Sequence, residues 1–358
     1  MSVIASRARA PILLALTAAL LWLAATSFPA AFDGVRLAAA RDDPVALADA
    51  GLDQTLTPAR FSAGLESALA AGDADLAESF LALGRTRGLA PTPEQQGRLE
   101  ALRAKAGEAA VEEFAEGFLH GAREGGAAFA GALAGDLTGY GDVRDLWNEA
   151  EKGRRGEKTD EVVIGLAAAG LALSAATWSS VGALLPARSG LTLVKSARKA
   201  GRLSTPLAKT LSAAAAAAVD RDALSAGVSA AARLDLAAAR AAVIKAIRPG
   251  ALTGFRALGE DAAAIYRRAG ARGVRDVLAV AEDGAEVRKA ARLAAARGGA
   301  TRAILATLGR GALVFLGLTT AAVEAVFACL GALLGLAMLA QRFGFWLGAG
   351  LPLGRGKE

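Results

Sequence analysis

The chain has few of the residues from which catalytic and metal sites are usually built. Its 358 residues include a single cysteine, Cys329, and a single histidine, His120. One cysteine excludes a disulfide within the chain, and one cysteine with one histidine cannot complete an ordinary zinc site. The sequence also has no nucleophile elbow, zincin motif, phosphate-binding loop or dinucleotide-binding motif. We therefore predict a protein that is not an enzyme, with no catalytic, cofactor-binding or metal-binding residues and no cofactor.

Aromatic residues are scarce as well, at 5% of the chain, although hydrophobic residues make up 54%. The apolar content is mainly alanine, leucine and valine, and there are 42 glycines. Alanine favours helix more than any other residue, and no stretch alternates as a strand would. We predict an all-α, multi-span helical membrane protein with short-helix soluble segments on both sides. The alanine, glycine and arginine bias indicates a bacterial source.

Charge is divided unevenly along the chain. Residues 32–160 hold 23 acidic and 14 basic residues, whereas residues 187–310 hold 9 acidic and 22 basic ones. Between them, Val162–Leu185 is a run of 24 uncharged residues. About 20 apolar residues are enough to cross a bilayer. We therefore predict a transmembrane helix at 161–186 that separates an acidic segment from a basic one.

The N-terminus has the pattern of an export signal. Arg7 and Arg9 precede an uncharged run, Ala10–Phe32. The small residues Ala25–Ser27 suit a signal-peptide cleavage site, and the run is also long enough to remain as an anchor. Both alternatives are open for residues 1–32. In either case the basic residues before the run favour export of the segment that follows.

Residues 33–113 carry local signals for short helices. Thr57-Pro58 and Thr92-Pro93 each place a capping side chain before a proline that suits the first helical turn. Asp73 is a third candidate cap, and Gly84 is a candidate end of the helix that follows it. We predict a small exported helical domain.

Residues 114–160 begin with glycines at a spacing of four, which places them on one helix face. Such a face allows close helix packing, either in self-association or membrane insertion, or in a tight crossing within the chain. His120 lies beside this face, and we interpret it as a packing or surface residue. The glycines available for self-association are Gly117, Gly121, Gly125, Gly131, Gly135 and Gly139.

Three aspartates close to this segment are candidate metal ligands, namely Asp136, Asp142 and Asp145. Their spacing does not match a calcium loop. Helix capping explains the last two better, with Asp142 as N-cap and Asp145 three residues later.

Residues 187–310 read as a basic helical segment with weak repeats. The stretch 259–270 aligns with 281–292, and each begins with acidic and ends with basic residues. The basic excess favours contact between 188–310 and anionic lipid headgroups. Aromatic residues are too few there, and no known module is present, so we expect no nucleic-acid partner.

The C-terminal run is apolar from Gly311 to Ala340 except for Glu324. Thirty helical residues are too long for one untilted span and too short for two. Residues 311–351 therefore form either a membrane hairpin that turns near Glu324 or one long span. We interpret Cys329 as a buried, inert thiol.

Two resemblances concern the middle of the chain. The run Gly135–Ser204, with its neighbouring helices and apolar end, is similar to uncharacterised proteobacterial inner-membrane proteins. It also resembles, more weakly, the pre-toxin helical module of bacterial polymorphic toxins, although Arg155-Gly156-Glu157 stands where that module has Thr-Gly-Glu. The first resemblance implies a membrane location and no particular activity.

We expect a non-enzymatic integral inner-membrane protein that acts through helix packing, with the lipid bilayer as its main partner. A pore-forming or toxin-associated protein and an enzyme of unrecognised chemistry are the alternatives. Within 20 residues of 161–186, lysines and arginines number five on each side, so the orientation rests on the export signal. It predicts 33–160 in the periplasm and 187–310 in the cytoplasm.

Overall fold

The computed structural model describes residues 2–104, 140–179, 184–233, 248–314 and 320–350, with single positions between 234 and 247. The described parts are helical and contain no β-strand, so the predicted all-α class is confirmed. The chain forms two compact units. The terminal unit consists of Met1–Asp42 with Phe315–Glu358, and the central unit is Asp43–Val314.

The terminal unit is an antiparallel pair of long helices, α1 (Ser2–Ala39) and α13 (Thr320–Gly350). Cys329 Sγ on α13 lies 3.9 Å from the carbonyl oxygen of Ala24 on α1. Six residues after Cys329 on α13, Gly335 faces Leu20, and a Cβ added to this glycine would lie 2.8 Å from the leucine side chain. The small residue thus lets the two helices approach closely.

Helix α13 passes through Glu324 without a turn. Of the two alternatives predicted for 311–351, the structure therefore has the single long helix and not the hairpin. It begins later than predicted, because Gly311–Val314 belongs to the central unit, where Ala312 and Leu313 are fully buried.

The central unit begins with short capped helices, as the local signals predict. Asp43, Thr57 and Asp73 accept hydrogen bonds from backbone N–H groups of the first turns that follow them. Gly84 does not end its helix: it lies inside, against the ring of Phe61, and the helix ends at Gly88, whose φ of +67° suits glycine. These helices are α2 (Pro44–Thr55), α3 (Pro58–Ala70) and α4 (Ala74–Arg87), followed by a helical stretch at 93–104.

The described residues of this unit form eight further helices. They are α5 (Tyr140–Arg154), α6 (Glu161–Ser179), α7 (Leu185–Lys199), α8 (Thr205–Ala218), α9 (Arg221–Ala232), α10 (Pro249–Val280), α11 (Gly284–Arg297) and α12 (Thr301–Leu308), with two 3-10 turns, Gly298–Ala300 and Gly309–Ala312. Helix α10 is kinked at Gly270, where φ is +69°. The aligned stretches 259–270 and 281–292 are not equivalent, because Asp261 lies inside α10 whereas its counterpart Asp283 caps α11.

Helix α6 is the core of the central unit, and its prediction as a membrane span at 161–186 is not confirmed. Between Val162 and Ser174 every side chain is buried except those of Ile164 and Leu171, which are half-buried. Helices α5, α7, α8 and α10 pack around it. A lipid-facing helix would leave part of its surface uncovered, and this one is covered by protein.

Helices α7 and α10 cross each other closely in the central unit. A Cβ added to Gly190 on α7 would lie 1.7 Å from the carbonyl oxygen of Gly259 on α10. A Cβ added to Gly259 would lie 2.0 Å from the carbonyl oxygen of Ala187. The two backbones are therefore in direct contact, which glycine alone permits.

Ion pairs join the early and late parts of the central unit. Arg302 on α12 bonds both carboxylate oxygens of Asp73, at 2.9 and 2.8 Å, and Arg297 on α11 pairs with Asp49 on α2. Groups held at such distances lie on one side of any membrane. Parts of the segments 33–160 and 187–310, which were predicted to lie on opposite sides of a bilayer, therefore pack together within one unit in this structure.

Candidate functional site

A cluster of buried charges lies where α5 faces α7. Asp142 and Asp145 lie on α5, and Arg188, Lys195 and Lys199 lie on α7. Lys195 Nζ lies 2.6 Å from Asp142 Oδ1 and 3.0 Å from Asp145 Oδ2. Lys199 Nζ lies 2.5 Å from Asp145 Oδ1, and Arg188 Nη2 lies 3.8 Å from Asp142 Oδ2. Apart from Lys199, each of these side chains is at most 5% exposed.

Helical spacing brings these groups together. Asp142 and Asp145 are three residues apart, and Lys195 and Lys199 are four apart, so each pair lies on one helix face. Room for the Asp142 carboxylate comes from α6, where a Cβ added to Gly170 would lie 2.5 Å from its Oδ2. Because buried charges are tolerated only when they are paired, the cluster ties α5 and α7 together beside the core helix.

The sequence singled out the two aspartates for the wrong role. Helix α5 begins at Tyr140, so Asp142 lies inside the helix rather than capping it. Their actual partners are more than 40 residues away in the chain. The acidic excess of 32–160 and the basic excess of 187–310 were the signal in the sequence that could have indicated this pairing. Among the residues that the structure describes, no group of three potential metal ligands is present.

Asp145 makes the stability of the central unit dependent on pH. Burial alone would raise its pKa, but the positive charges and hydrogen bonds of Lys195 and Lys199 outweigh burial and lower the pKa. Asp73 behaves in the same way: burial opposes its ionisation, and the hydrogen bonds and charge of Arg302 hold its pKa well below the usual range. A carboxyl with a lowered folded-state pKa stabilises the fold fully above the unfolded pKa, about 3.9, and this contribution is lost as pH falls below that value.

We therefore expect the melting temperature of the protein in neutral detergent to change little between pH 5 and 7 and to decrease when the pH drops below about 4. In an Asp145→Asn variant, the melting temperature at pH 7 should be lower than in the wild type, and it should decrease less steeply as the pH falls into the acid range. Thermal unfolding followed by circular dichroism measures both curves. If the melting temperatures of the two proteins depended on pH in the same way, the lowered pKa of Asp145 would be contradicted.

A second ion-pair cluster centres on Arg302 of α12, which is 5% exposed. Its Nε donates to Asp276 Oδ2 at 2.6 Å, and its two terminal nitrogens donate to the two oxygens of Asp73. Asp73 Oδ1 also accepts from Arg272 at 2.9 Å and from the N–H of Leu76 at 3.0 Å. One aspartate thus caps α4 and joins it to α10 and α12.

An open cleft of about 570 Å³ lies beside this cluster. Its walls come from the turn before α4, the turn after α7, the end of α10 and helix α12. Four arginines and two aspartates supply its charges, and alanine, leucine and valine side chains supply the rest of its surface. The charged residues are Asp73, Arg202, Arg272, Arg275, Asp276 and Arg302.

The terminal unit carries large apolar side chains that no described residue covers. Trp22 and Phe28 on α1 are 73% and 61% exposed, and Phe327 on α13 is 69% exposed. Two segments are long and apolar enough to cross a membrane, Ala15–Ala39 and Ala322–Arg342, with mean hydropathies of 1.6 and 2.2. Only 6% and 11% of their most apolar windows are buried.

The other residues singled out from the sequence are not brought together into a site. Glu324 is exposed near the start of α13, and Cys329 is half-buried rather than buried, facing α1. His120, Asp136 and the six glycines from Gly117 to Gly139 lie outside the described residues. The predicted self-association through those glycines therefore stays a prediction.

Comparison with protein-family models, with curated proteins and with solved structures found no match.

Proposed function

We propose that the protein is a non-enzymatic integral membrane protein whose helices α1 and α13 form a two-helix anchor for the central unit. The observation that carries this proposal is the uncovered apolar surface of the terminal pair. Soluble monomers rarely expose contiguous apolar patches of more than a few hundred Å². In the hydrocarbon core of a bilayer such side chains no longer contact water, so the free-energy cost of exposing them is removed.

The lengths of the two apolar segments support this role. Ala15–Ala39 has 25 residues and Ala322–Arg342 has 21. At 1.5 Å per residue they extend about 37 and 31 Å, enough for a hydrocarbon core about 30 Å thick. Glu324 is the third residue of its segment, so a bilayer would place it near the interface, where a carboxylate reaches water at little cost.

The pairing of the helices favours an anchor over a cleaved signal peptide. Leu20 and Ala24 both contact α13. Cleavage after Ser27 would remove these two contacts and leave α13 without its partner. We therefore propose that residues 1–32 remain in the mature protein as the first span.

The antiparallel arrangement supports a revised topology. The chain leaves α1 and enters α13 at the same end of the pair, so both connections to the central unit are on one side of the bilayer. The two chain ends are then on the opposite side, and basic residues near them favour the cytoplasm. We propose that the whole central unit is periplasmic, in a bacterial inner membrane. The basic residues near the chain ends are Arg7, Arg9, Arg342, Arg355 and Lys357.

Single-cysteine labelling tests this topology directly. Cys329→Ala removes the native thiol, and Glu94→Cys and Lys209→Cys each place a new one at an exposed position of the central unit. Glu94 lies in the segment predicted to be periplasmic and Lys209 in the one predicted to be cytoplasmic. We expect both cysteines to react equally with a membrane-impermeant maleimide in intact cells.

Three other results would each point elsewhere. Labelling of the Glu94 position alone would restore the separation of the two segments by a membrane. Labelling of both positions only after permeabilisation would reverse the orientation and leave the anchor intact. Release of the protein from membranes by alkaline carbonate would overturn the anchor itself.

A further inference from the structure

One side of the two-helix anchor differs from the rest of its surface. The side of α1 that faces α13 carries Leu20 and Ala24. Trp22 lies on the opposite side of α1 and is 73% exposed. The residues one helical turn away from Trp22 on that side are all exposed, and they are Ala18, Ala19, Ala25 and Thr26. These five residues are called the outer face of α1 below.

Trp22 lies near the middle of the first span. Leu20, two residues before it, faces Gly335 of the antiparallel helix α13. Trp22 is therefore level with the residues just before Gly335, close to the centre of the segment Ala322–Arg342. Tryptophan is enriched at the two membrane interfaces, where its N–H group reaches water. Because a hydrocarbon core is about 30 Å thick, about 15 Å separate this tryptophan from either interface.

The outer face also holds one hydrogen-bond donor and one acceptor that are not used. Among the residues that the structure describes, none accepts a hydrogen bond from the indole N–H of Trp22. A polar group without a partner in hydrocarbon costs free energy. Thr26 donates its hydroxyl hydrogen to the carbonyl oxygen of Trp22 at 2.9 Å, so its Oγ1 can still accept. A second copy of the same face would bring a donor towards each acceptor.

The side of α13 that faces away from α1 has a different composition. Its large apolar side chains are between 51% and 69% exposed, and they are Phe327, Leu330, Leu334 and Met338. Small residues in a membrane helix allow another helix to approach closely, whereas bulky side chains keep it away. On the outer face of α1 a single large ring is surrounded by three alanines and a threonine. A ring from a second copy therefore has room beside it.

We propose that the outer face of α1 binds the outer face of a second copy, so that two anchors form a parallel dimer. This proposal rests on the membrane anchor proposed above. Copies inserted in the same orientation are related by a two-fold axis along the membrane normal, which keeps every residue at its own depth. Trp22 of each copy is then at the level at which the other copy has small residues on both sides of its own ring.

Disulfide crosslinking in membranes tests this interface in the full-length protein. In a Cys329→Ala background, Ala18→Cys or Ala25→Cys places one thiol on the outer face of α1. Leu330→Cys and Leu334→Cys place control thiols on α13 at similar depths. We expect mild oxidation to yield at least about fivefold more covalent dimer from either α1 variant than from either control, because residues at a two-fold interface lie close to their own copies.

The aromatic ring is tested by a matched pair of variants. Trp22→Ala should lower the crosslinking of the Ala25→Cys protein several-fold, because buried tryptophans dominate such interfaces. Phe327→Ala removes an exposed ring from α13 instead and should leave the crosslinking unchanged. Both variants should stay in the membrane fraction after alkaline carbonate.

The outcomes separate the dimer from the anchor. Equal crosslinking on the two helices, crosslinks to other proteins only, or full crosslinking without the Trp22 ring would each overturn the dimer. In all three cases resistance to carbonate would leave the anchor standing. Release of the wild type by carbonate would overturn the anchor, and the dimer with it.

Discussion

Replacing Gly190 by valine is expected to destabilise the central unit by about 3 kcal/mol or more, because the new side chain has no space. Even a single Cβ at this position would lie 1.7 Å from the carbonyl oxygen of Gly259. The obstacle is backbone on the facing helix, which cannot move aside as a flexible side chain can. Helices α7 and α10 would have to separate, and the packing around α6 would be lost with them.

Thermal melting measures this effect. For a unit of this size, 3 kcal/mol corresponds to a fall in Tm of about 6 to 12 °C. Gly254→Ala is the matched control: Gly254 is exposed on the same helix α10, and nothing lies within 4 Å of its added Cβ. Alanine should stabilise that position by about 0.5 kcal/mol or more. A Gly190→Val protein that melts with the wild type would show that this crossing does not form.

Replacing Lys195 by methionine is expected to cost about 3 to 5 kcal/mol, because it breaks a buried ion pair on one side only. Lys195 bridges Asp142 and Asp145, and all three side chains are at most 5% exposed. Without the lysine, two carboxylates remain in a region that water does not reach. Removing a partner charge from such a cluster costs more than the pair contributes.

A double-mutant cycle separates this pairing from general damage. Asp142→Asn combined with Lys195→Met should destabilise less than the sum of the two single changes, because the second change removes a charge that the first left unpaired. Lys209→Met, at an exposed position on α8, should change stability by no more than about 0.5 kcal/mol. If the losses of stability in the two single variants simply add up in the double variant, the contact between Lys195 and Asp142 is ruled out.

The local signals for capping were accurate at two of the early helices. The caps at Thr57 and Asp73 were predicted and are present, because a cap needs only residues within one helical turn. Gly84 was misread as a helix end for the opposite reason. A Cβ added there would lie 2.6 Å from the carbonyl oxygen of Leu89 and 2.8 Å from the ring of Phe61, a residue of another helix, and no local signal near Gly84 reveals the second contact.

The buried ion pairs were beyond prediction from sequence for the same reason. Lys195 and Asp142 are 53 residues apart, and Arg302 and Asp73 are 229 apart. Each of these residues alone is ordinary for a solvent-exposed helix face. The charge contrast between the two halves was visible, and it was interpreted as a sign of separation by a membrane. In the structure, opposite charges from the two halves attract and pair within one unit.

The sequence by itself determined that the described parts of the chain are helical, where several of the early helices begin, and that three apolar runs exist, because these depend on residue type and local order. Only the tertiary structure distinguished the runs. Val162–Leu185 is similar in composition to the other two, yet helix α6 is enclosed by four helices, whereas α1 and α13 leave their apolar faces uncovered. Whether an apolar helix is a core helix or a candidate membrane span depends on what covers it, and that covering comes from distant parts of the chain.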